Sequence, residues 1–485
     1  MIYFKGSKKA VLGILLLVVF LSGCGQNSKP QTSKQTIEKK DKEILVYLKE
    51  EPMDLDPLTA EDSSSIQINL NTYDTLISFD EKQNNRGLAQ DYQISKDGLQ
   101  YDIYLRKTKW SNGEDIKAQE VVDTYIELLA PETASKYPEL LFDIVGAKDY
   151  YQGELDDKGR LGIKALDDAH IQIQLNKPSK DFLKVLADSH LSIVSKDLEV
   201  SSGPYYIKEK INNQKILLEK NPYYWDKENI YFEKIEYQIQ SGKNKSLNDF
   251  LRGQVDVIKL DDTIFERVKE AERHVIYNGK LTYLMLNSQK ESLADETVRA
   301  QLFSAVDTQI LGEKLFAEKR KVPYHLYPSA DSIEKKENNR AVKMPINLVG
   351  ISENDPLAIK LSAALQQMIG ESGVQKVDIQ SLSSGSYYER LHLRDYDFCI
   401  YSYQSILGNA QDYLKNMANL LDVPYEASKT LEEIEGTLEK ECLVKPISLG
   451  VDYYGIKKEL DGIVYNPSGL PIFKYASRKM TDSAD

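Results

Sequence analysis

Histidine and cysteine are the side chains of this protein best suited to nucleophilic catalysis or metal binding. The 485 residues include five histidines and three cysteines. The histidines are scattered without a shared motif, at His170, His190, His274, His325 and His392. The sequence has no Gly-x-Ser-x-Gly, His-Glu-x-x-His, phosphate-loop or dinucleotide-binding motif. We therefore expect no catalytic residue, no metal site and no cofactor, and we predict that the chain is not an enzyme.

One cysteine lies in a context that predicts covalent modification. Lysines near the N terminus precede an apolar run from Ala10 to Leu21. This run is too short to span a bilayer of about 30 Å, so residues 1–23 are interpreted as a signal peptide. The run ends in Leu21-Ser22-Gly23-Cys24, which resembles a bacterial lipobox. We expect Cys24 to carry the lipid, with palmitate among its acyl chains; the alternative is an ordinary signal peptide with an incidental cysteine.

Composition limits the classes of partner. The net charge of -13 argues against nucleic acid, which requires clustered lysine and arginine. Residues Gly25 to Lys42 are polar and cannot bury enough apolar surface to offset the entropy of ordering, so 24–42 is predicted to be the lipidated cysteine and a flexible tether. The remaining cysteines, Cys399 and Cys442, could form a disulfide, but we expect two free thiols.

Any binding residues must be positioned by the fold, and beyond the tether strand-like and helix-like patterns alternate. Ile44–Leu48 is typical of a buried strand, and His170–Leu175 alternates apolar and polar residues. Asp355-Pro356 should begin a helix and Gly370 should end it. One face of that helix should carry Leu357, Leu361, Leu365 and Met368. This alternation over about 440 residues predicts an α/β protein with two or three subdomains.

Short motifs recur in order between Glu43 and Tyr475 and carry a family resemblance. They are Glu51-Pro52, Leu55-Asp56-Pro57, Tyr73-Asp74-Thr75-Leu76, Ser95-Lys96-Asp97-Gly98, Leu105-Arg106, Trp110-Ser111-Asn112-Gly113, Gly203-Pro204-Tyr205, Asn221-Pro222 with Tyr224-Trp225, Gly253-Gln254-Val255-Asp256 and Ala305-Val306-Asp307. Each motif alone is weak, but their order is specific. Together they resemble the bacterial extracellular solute-binding proteins of family 5, which serve ABC importers of peptides and nickel, and within that family the oligopeptide-binding type.

The resemblance implies a bilobed α/β fold of the periplasmic-binding-protein type, with two lobes joined by a two-segment hinge. Lobe one would comprise residues 43–270 and the C-terminal return 453–485, with an extra subdomain inserted at about 70–195. Lobe two would comprise residues 271–452. The ligand would lie between the lobes with its backbone paired like an added strand. Lobe closure would then present a docking surface to the permease.

The resemblance also implies which residues contact the ligand. In lobe one these are Glu61 and Ser63, in the loop after Leu55-Asp56-Pro57, and Tyr137, which follows a Pro-Glu-Thr-Ala-Ser stretch. In lobe two they are Ser402, Tyr403, Gln404 and Ile406, at the end of a strand.

Ile406 departs from the family pattern, because oligopeptide-type members have an aspartate there that pairs with the peptide α-ammonium. Burying an ammonium without a countercharge costs several kcal/mol. Three alternatives follow: a peptide held in another way, for example with Glu61 as the acid, or one with blocked or distant ends; a non-peptide ligand such as an oligosaccharide; or a diverged surface lipoprotein with a peptide-sensing or partner-binding role. The tyrosines near the pocket strand fit peptides and sugars alike; they are Tyr387, Tyr388, Tyr401 and Tyr403.

The prediction that follows is a lipid-anchored substrate-binding protein that captures oligopeptides and delivers them to an ABC permease. The expected partners are a peptide ligand, the transmembrane subunits of the permease, and the membrane through the N-terminal lipid. We expect a monomer outside the cytoplasm, anchored to the cell membrane, as on the surface of a Gram-positive bacterium.

Overall fold

The computed structural model describes residues 42–78, 87–315, 325–328, 344–405, 410–424 and 429–479. The signal peptide, Cys24 and all of the tether except Lys42 lie outside these ranges, as does Ile406.

The strands of the described chain, in order, are β1 (Glu43–Leu48), β2 (Ala89–Ile94), β3 (Gln100–Leu105), β4 (Ile163–Ala165), β5 (His170–Gln174), β6 (Tyr205–Ile211), β7 (Lys215–Lys220), β8 (Lys234–Ile239), β9 (Val257–Leu260), β10 (Arg273–Leu286), β11 (Met344–Glu353), β12 (Val374–Leu382), β13 (Phe398–Gln404), β14 (Val444–Ile456), β15 (Leu460–Asp461), β16 (Val464–Tyr465), β17 (Pro471–Ile472) and β18 (Ser477–Arg478). The α-helices are α1 (Ser63–Thr72), α2 (Ala118–Leu129), α3 (Ala147–Tyr151), α4 (Phe182–Val185), α5 (Lys243–Leu251), α6 (Glu296–Ala305), α7 (Thr308–Leu315), α8 (Pro356–Glu371), α9 (Ser384–His392), α10 (Ala410–Leu420) and α11 (Leu431–Lys440).

A ten-stranded sheet in the order β12-β11-β13-β10-β14-β9-β1-β8-β7-β6 organises the molecule. Its two longest strands, β10 and β14, pair antiparallel with each other and form a central ribbon. Toward one end of the ribbon, Tyr453–Ile456 of β14 pairs with β9, and the sheet continues through β1 and β8. Toward the other end, Lys280–Leu286 of β10 pairs with β13, and the sheet continues through β11. The ribbon therefore joins two halves of the sheet.

The ribbon is irregular where β10 passes from one half of the sheet to the other. The pairing register shifts between Tyr277 and Leu281, so that the segment Asn278–Lys280 bulges. Gly279 has a left-handed φ of 72°, which glycine adopts without steric cost. On the facing strand, a β-carbon at Gly450 would collide with the side chain of Asn278. Glycine is therefore required at this crossing on steric grounds.

A second, antiparallel sheet of four strands has the order β2-β3-β5-β4 and is covered by α2. Its core includes the fully buried rings of Trp110, Tyr125 and Phe182. All four strands come from residues 89–174, within the range predicted for the inserted subdomain. The predicted boundaries of the lobes and of the subdomain stay predictions.

Motif residues bond to one another in this fold. The Trp110 indole nitrogen donates to the Glu120 carboxylate over 3.0 Å, which joins the Trp110-Ser111-Asn112-Gly113 motif to α2. The Asn221 side-chain amide donates to the Gly203 carbonyl oxygen over 3.0 Å, which joins two motifs. These motifs therefore specify the scaffold.

The predicted strands at Ile44–Leu48 and His170–Leu175 are confirmed as β1 and β5. Asp355 caps α8 as predicted, because its carboxylate accepts from the backbone amides of the first turn. The predicted end at Gly370 is wrong by one residue: the helix continues to Glu371, and the glycine with left-handed φ is Gly373.

Other expectations concern cysteines, metals and membrane spans. Cys399 and Cys442 are both free thiols, and burial raises the pKa of Cys399 to about 12. No metal-binding group of three or more histidine, cysteine, aspartate or glutamate side chains occurs among the described residues. No helix within those same ranges has the length and apolar character needed to cross a bilayer.

Candidate ligand-binding cleft

The first predicted ligand segment is the loop that enters α1. Asp62 ends this loop as the helix cap, because its carboxylate accepts from the Ser65 amide over 2.9 Å. The Ala60 amide donates to the Asp56 carbonyl oxygen over 2.9 Å, which closes the turn before the cap. Glu61 and Ser63 flank the cap and both are exposed. The local turn and the helix start thus present these two side chains to solvent.

Glu61 already has a cationic partner. Its carboxylate lies 2.7 Å from the ammonium of Lys136, and more than half of each side chain is exposed. Exposed pairs of this kind contribute little free energy because water screens them. Lys136 immediately precedes Tyr137, so the pair connects the α1 loop to the second predicted ligand segment.

Tyr137 follows a single 3-10 turn, Pro131–Thr133, that leads away from α2. Its ring is half-buried, and its hydroxyl forms no hydrogen bond with any residue in the described ranges. Burial raises the pKa of Tyr137 to about 12, with further contributions from the charges of Glu61, Asp188 and Glu139. A phenol at this position can both donate and accept a hydrogen bond with a ligand.

The residue beneath Tyr137 is His190, one of the five scattered histidines. The two rings are stacked, with centroids 3.6 Å apart and an angle of 25° between their planes. His190 Nδ1 lies 2.7 Å from Asp188 Oδ1, and Nε2 lies 3.2 Å from the Ala60 carbonyl oxygen. Only the local Asp-x-His spacing hinted at this arrangement, since Ala60 and Tyr137 are distant in sequence.

The end of β13, which is predicted to lie in lobe two, carries the other candidate ligand residues. The Ser402 hydroxyl lies 2.9 Å from the Thr282 hydroxyl on β10. The Tyr403 hydroxyl donates to Asp412 on α10 over 3.0 Å. The Gln404 amide donates to the Asn278 carbonyl oxygen in the β10 bulge over 2.8 Å. Two of the three predicted side chains are therefore bonded to the central ribbon.

The same end of β13 has an open edge. β11 pairs with β13 only along Phe398–Ile400, whereas β10 pairs with it as far as Gln404. Along Tyr401–Gln404, β13 is paired with β10 on one side only. No strand within the described ranges pairs with its other side, where the pairing with β11 has already ended. Backbone N–H and C=O groups on such an edge form a template for an added strand.

A charge near the end of β13 influences a carboxyl group beside Tyr137. Burial raises the pKa of the Glu139 carboxyl, although water still reaches part of the side chain; the charge of His190 lowers that pKa and the charge of Asp412 raises it. Glu139 belongs to the turn after Tyr137, whereas Asp412 accepts the Tyr403 hydrogen bond. The charge of Asp412, in one segment, therefore acts on the Glu139 carboxyl in the other.

The structure thus brings Glu61 and Tyr137 together, and it places Tyr403 and Gln404 at the end of β13. The Ser63 side chain is exposed beside the Asp62 cap, and the Ser402 hydroxyl is directed at Thr282. The roles of all these residues as ligand contacts stay predictions.

Known proteins resemble this chain over most of its length. The oligopeptide-binding protein OppA of Bacillus subtilis (strain 168) is 24% identical in an alignment of 535 positions, which covers 96% of this chain and 98% of that protein. Among solved structures, the periplasmic murein tripeptide-binding protein MppA in its unliganded open form matches with a TM-score of 0.76 at 20% identity, covering 90% of this chain and 98% of that one. Listeria monocytogenes OppA bound to peptide matches with a TM-score of 0.69 at 18% identity, covering 91% and 100%.

These likenesses confirm the predicted fold class, a bilobed α/β fold of the periplasmic-binding-protein type. The family profile described as "Bacterial extracellular solute-binding proteins, family 5 Middle" matches residues 85–343. The match spans more than half of the 485 residues, and it agrees with the family predicted from the ordered motifs. The chain belongs to the bacterial extracellular solute-binding proteins of family 5.

Proposed function

We propose that this protein captures oligopeptides between its two lobes and delivers them to an ABC permease, while a lipid on Cys24 holds it at the outer face of the membrane. The observation that carries the proposal is the open edge of β13 at Tyr401–Gln404. The similarity of the whole chain to the oligopeptide-binding protein of Bacillus subtilis supports the same ligand class.

An extended peptide fits this edge for physical reasons. Backbone pairing supplies hydrogen bonds that do not depend on the ligand's side chains, so a strand edge tolerates many sequences. Tyr137 would complete the lobe-one side, because its hydroxyl has no hydrogen-bond partner in the described chain and can bond a peptide group. No bond of the ligand is made or broken, and the mechanism is reversible capture followed by lobe closure.

The α-ammonium group of a bound peptide should lack the countercharge that it has in relatives with an aspartate at the position of Ile406. The most direct substitute acid, Glu61, is exposed and paired with Lys136. A buried α-ammonium would therefore lack a dedicated countercharge, and its desolvation would oppose binding. We expect peptides with acetylated N termini to bind at least as well as free ones.

Thermal unfolding of the purified chain tests this proposal. The probes are an equimolar pentapeptide library with free N termini, the same library acetylated, and maltopentaose as a non-peptide control at matched concentration. A ligand at 100 times its Kd adds about 2.7 kcal/mol to stability, which is readily detected. Stabilisation by either library supports peptide capture, and a larger shift with the acetylated library supports the role of Ile406. Stabilisation by maltopentaose alone, or by none of the three, rejects peptide capture.

The anchor is tested separately by metabolic labelling with palmitate and by cell fractionation. Wild type should be labelled and found with membranes, whereas Cys24→Ala should be neither. Membrane association of an unlabelled Cys24→Ala protein would reject the lipid anchor and leave peptide capture unaffected.

A further inference from the structure

His190 lies where three segments of lobe one meet: the loop before α1, the turn that carries Tyr137, and its own turn after α4. We propose that His190 is a positioning residue for the ligand, which fixes the Tyr137 ring and the loop that carries Glu61 in the orientation that receives the ligand. This inference rests on the proposed function, because it assigns a role at the same cleft.

The imidazole has a single favourable orientation. Nδ1 faces the Asp188 carboxylate at 2.7 Å and Nε2 faces the Ala60 carbonyl oxygen at 3.2 Å. A flip of the ring would place carbon atoms against both oxygens, and both contacts would be lost. The ring is 8% exposed, so water cannot readily replace them. The turn also fixes the backbone, because the His190 amide donates to the same carboxylate over 2.9 Å.

A fixed imidazole is a platform for Tyr137. At 3.6 Å between centroids and 25° between planes, the phenol ring cannot rotate without losing the stacked contact. The Tyr137 hydroxyl therefore keeps one direction before any ligand arrives. Ordering a rotatable side chain during binding opposes association, and a side chain that is already ordered avoids that cost.

The same imidazole restrains the α1 loop. Ala60 directly precedes Glu61, and its carbonyl oxygen accepts the Nε2 contact while its amide is held by Asp56. The two candidate ligand segments of lobe one are thus fixed relative to each other through one side chain. The Glu61–Lys136 ion pair is exposed and is too weak for this task.

A matched histidine elsewhere in the chain provides the control. His170 Nε2 lies 3.0 Å from the Asp102 carboxylate, and its ring stacks on Tyr104 with centroids 4.5 Å apart. It therefore has the same kinds of partner, but it lies in the four-stranded sheet and touches none of the candidate ligand residues. His170→Gln controls for the loss of a stacked, carboxylate-bonded imidazole.

The first test is a double-mutant cycle on peptide binding. We expect His190→Gln to raise the half-saturating concentration of the acetylated pentapeptide library, read by native mass spectrometry, by about tenfold. In a Tyr137→Leu background, His190→Gln should change the half-saturating concentration by less than about threefold, because His190 acts largely through Tyr137. His190→Phe retains a stacking ring and should recover part of the affinity, and His170→Gln should bind as wild type does. Unchanged binding by His190→Gln, or full additivity with Tyr137→Leu, overturns the proposal.

The second test needs no ligand. Hydrogen exchange of the Thr59 and Ala60 amides, both bonded to Asp56, should be about tenfold faster in His190→Gln than in wild type, with α8 amides unchanged. Equal exchange in the two proteins rejects the positioning role. If wild type binds neither peptide library, the proposed function fails, and the exchange result alone decides whether His190 fixes the loop.

Discussion

Asp74 shows how single residues of the family motifs hold distant parts of the chain together. Its carboxylate accepts from the Tyr224 hydroxyl over 2.6 Å and from the Trp225 indole nitrogen over 3.3 Å. The ammonium of Lys474, near the C terminus, lies 3.7 Å away. Burial raises the pKa of Tyr224 well above its ordinary value, and the Asp74 charge raises it further, so this phenol stays a donor. Three distant segments of the chain therefore meet at one largely buried carboxylate.

Removing this carboxylate should destabilise the protein. Asp74→Ala leaves a buried hydroxyl and a largely buried indole N–H without their acceptor, and we expect it to lower the free energy of unfolding by about 2–4 kcal/mol. Asp74→Asn retains one acceptor oxygen and should cost less. Urea unfolding measures the change, and Glu132→Ala on an exposed turn should stay within about 0.5 kcal/mol of wild type. A similarly small change for Asp74→Ala would contradict this account.

Helix and strand positions were predictable where a local signal is unambiguous. Asp355-Pro356 starts α8 because a carboxylate cap and an N-terminal proline act within one turn. The end of α8 was misassigned because Gly370 and Gly373 are both available, and only tertiary packing selects the one with left-handed φ. The pairing of β10 with β14 was beyond local reasoning, since these strands are separated by most of lobe two.

The bulge in the central ribbon allows a test at the level of one element. Gly450→Ala places a methyl group against the Asn278 side chain and the backbone of Lys280, so we expect a loss of about 1–3 kcal/mol in unfolding free energy. Gly436→Ala is the matched control, because it lies in α11 and a β-carbon there meets nothing within 4 Å. That substitution should stabilise by up to about 1 kcal/mol. Equal effects of the two substitutions would show that the crossing is not sterically restricted.

For the whole molecule, the ordered motifs predicted the fold class and the family. They predicted only some of the residues that form the candidate cleft. The motif matches indicated Tyr137 and the end of β13, because those segments are recognisable in the sequence. The role of His190 could not be predicted, since it depends on Ala60 and Tyr137 arriving beside it from elsewhere in the chain. The charge interaction between Glu139 and Asp412 likewise exists only once the segments that carry them approach each other.

The charges of Glu139 and Asp412 should oppose lobe closure. A ligand in the cleft contacts both lobes only when they close, so saturation with the acetylated pentapeptide library should reduce the radius of gyration measured by small-angle X-ray scattering. Glu139 and Asp412 repel each other in the absence of ligand. Glu139→Gln removes that repulsion, and we expect the unliganded variant to be more compact than unliganded wild type.

The pH dependence follows from the direction of the same shift. Burial raises the pKa of Glu139, so this carboxyl gains its proton at a higher pH than an ordinary glutamate as the solution is acidified. The repulsion between Glu139 and Asp412 should then weaken in mildly acidic solution. Unliganded wild type should become as compact as Glu139→Gln. The dimensions of the variant should change less over the same pH range. A larger closed fraction also raises apparent affinity in proportion, so wild type should bind the library more tightly under the same conditions. If the dimensions of wild type and variant differ by the same amount at neutral and mildly acidic pH, protonation of Glu139 does not change closure over that range.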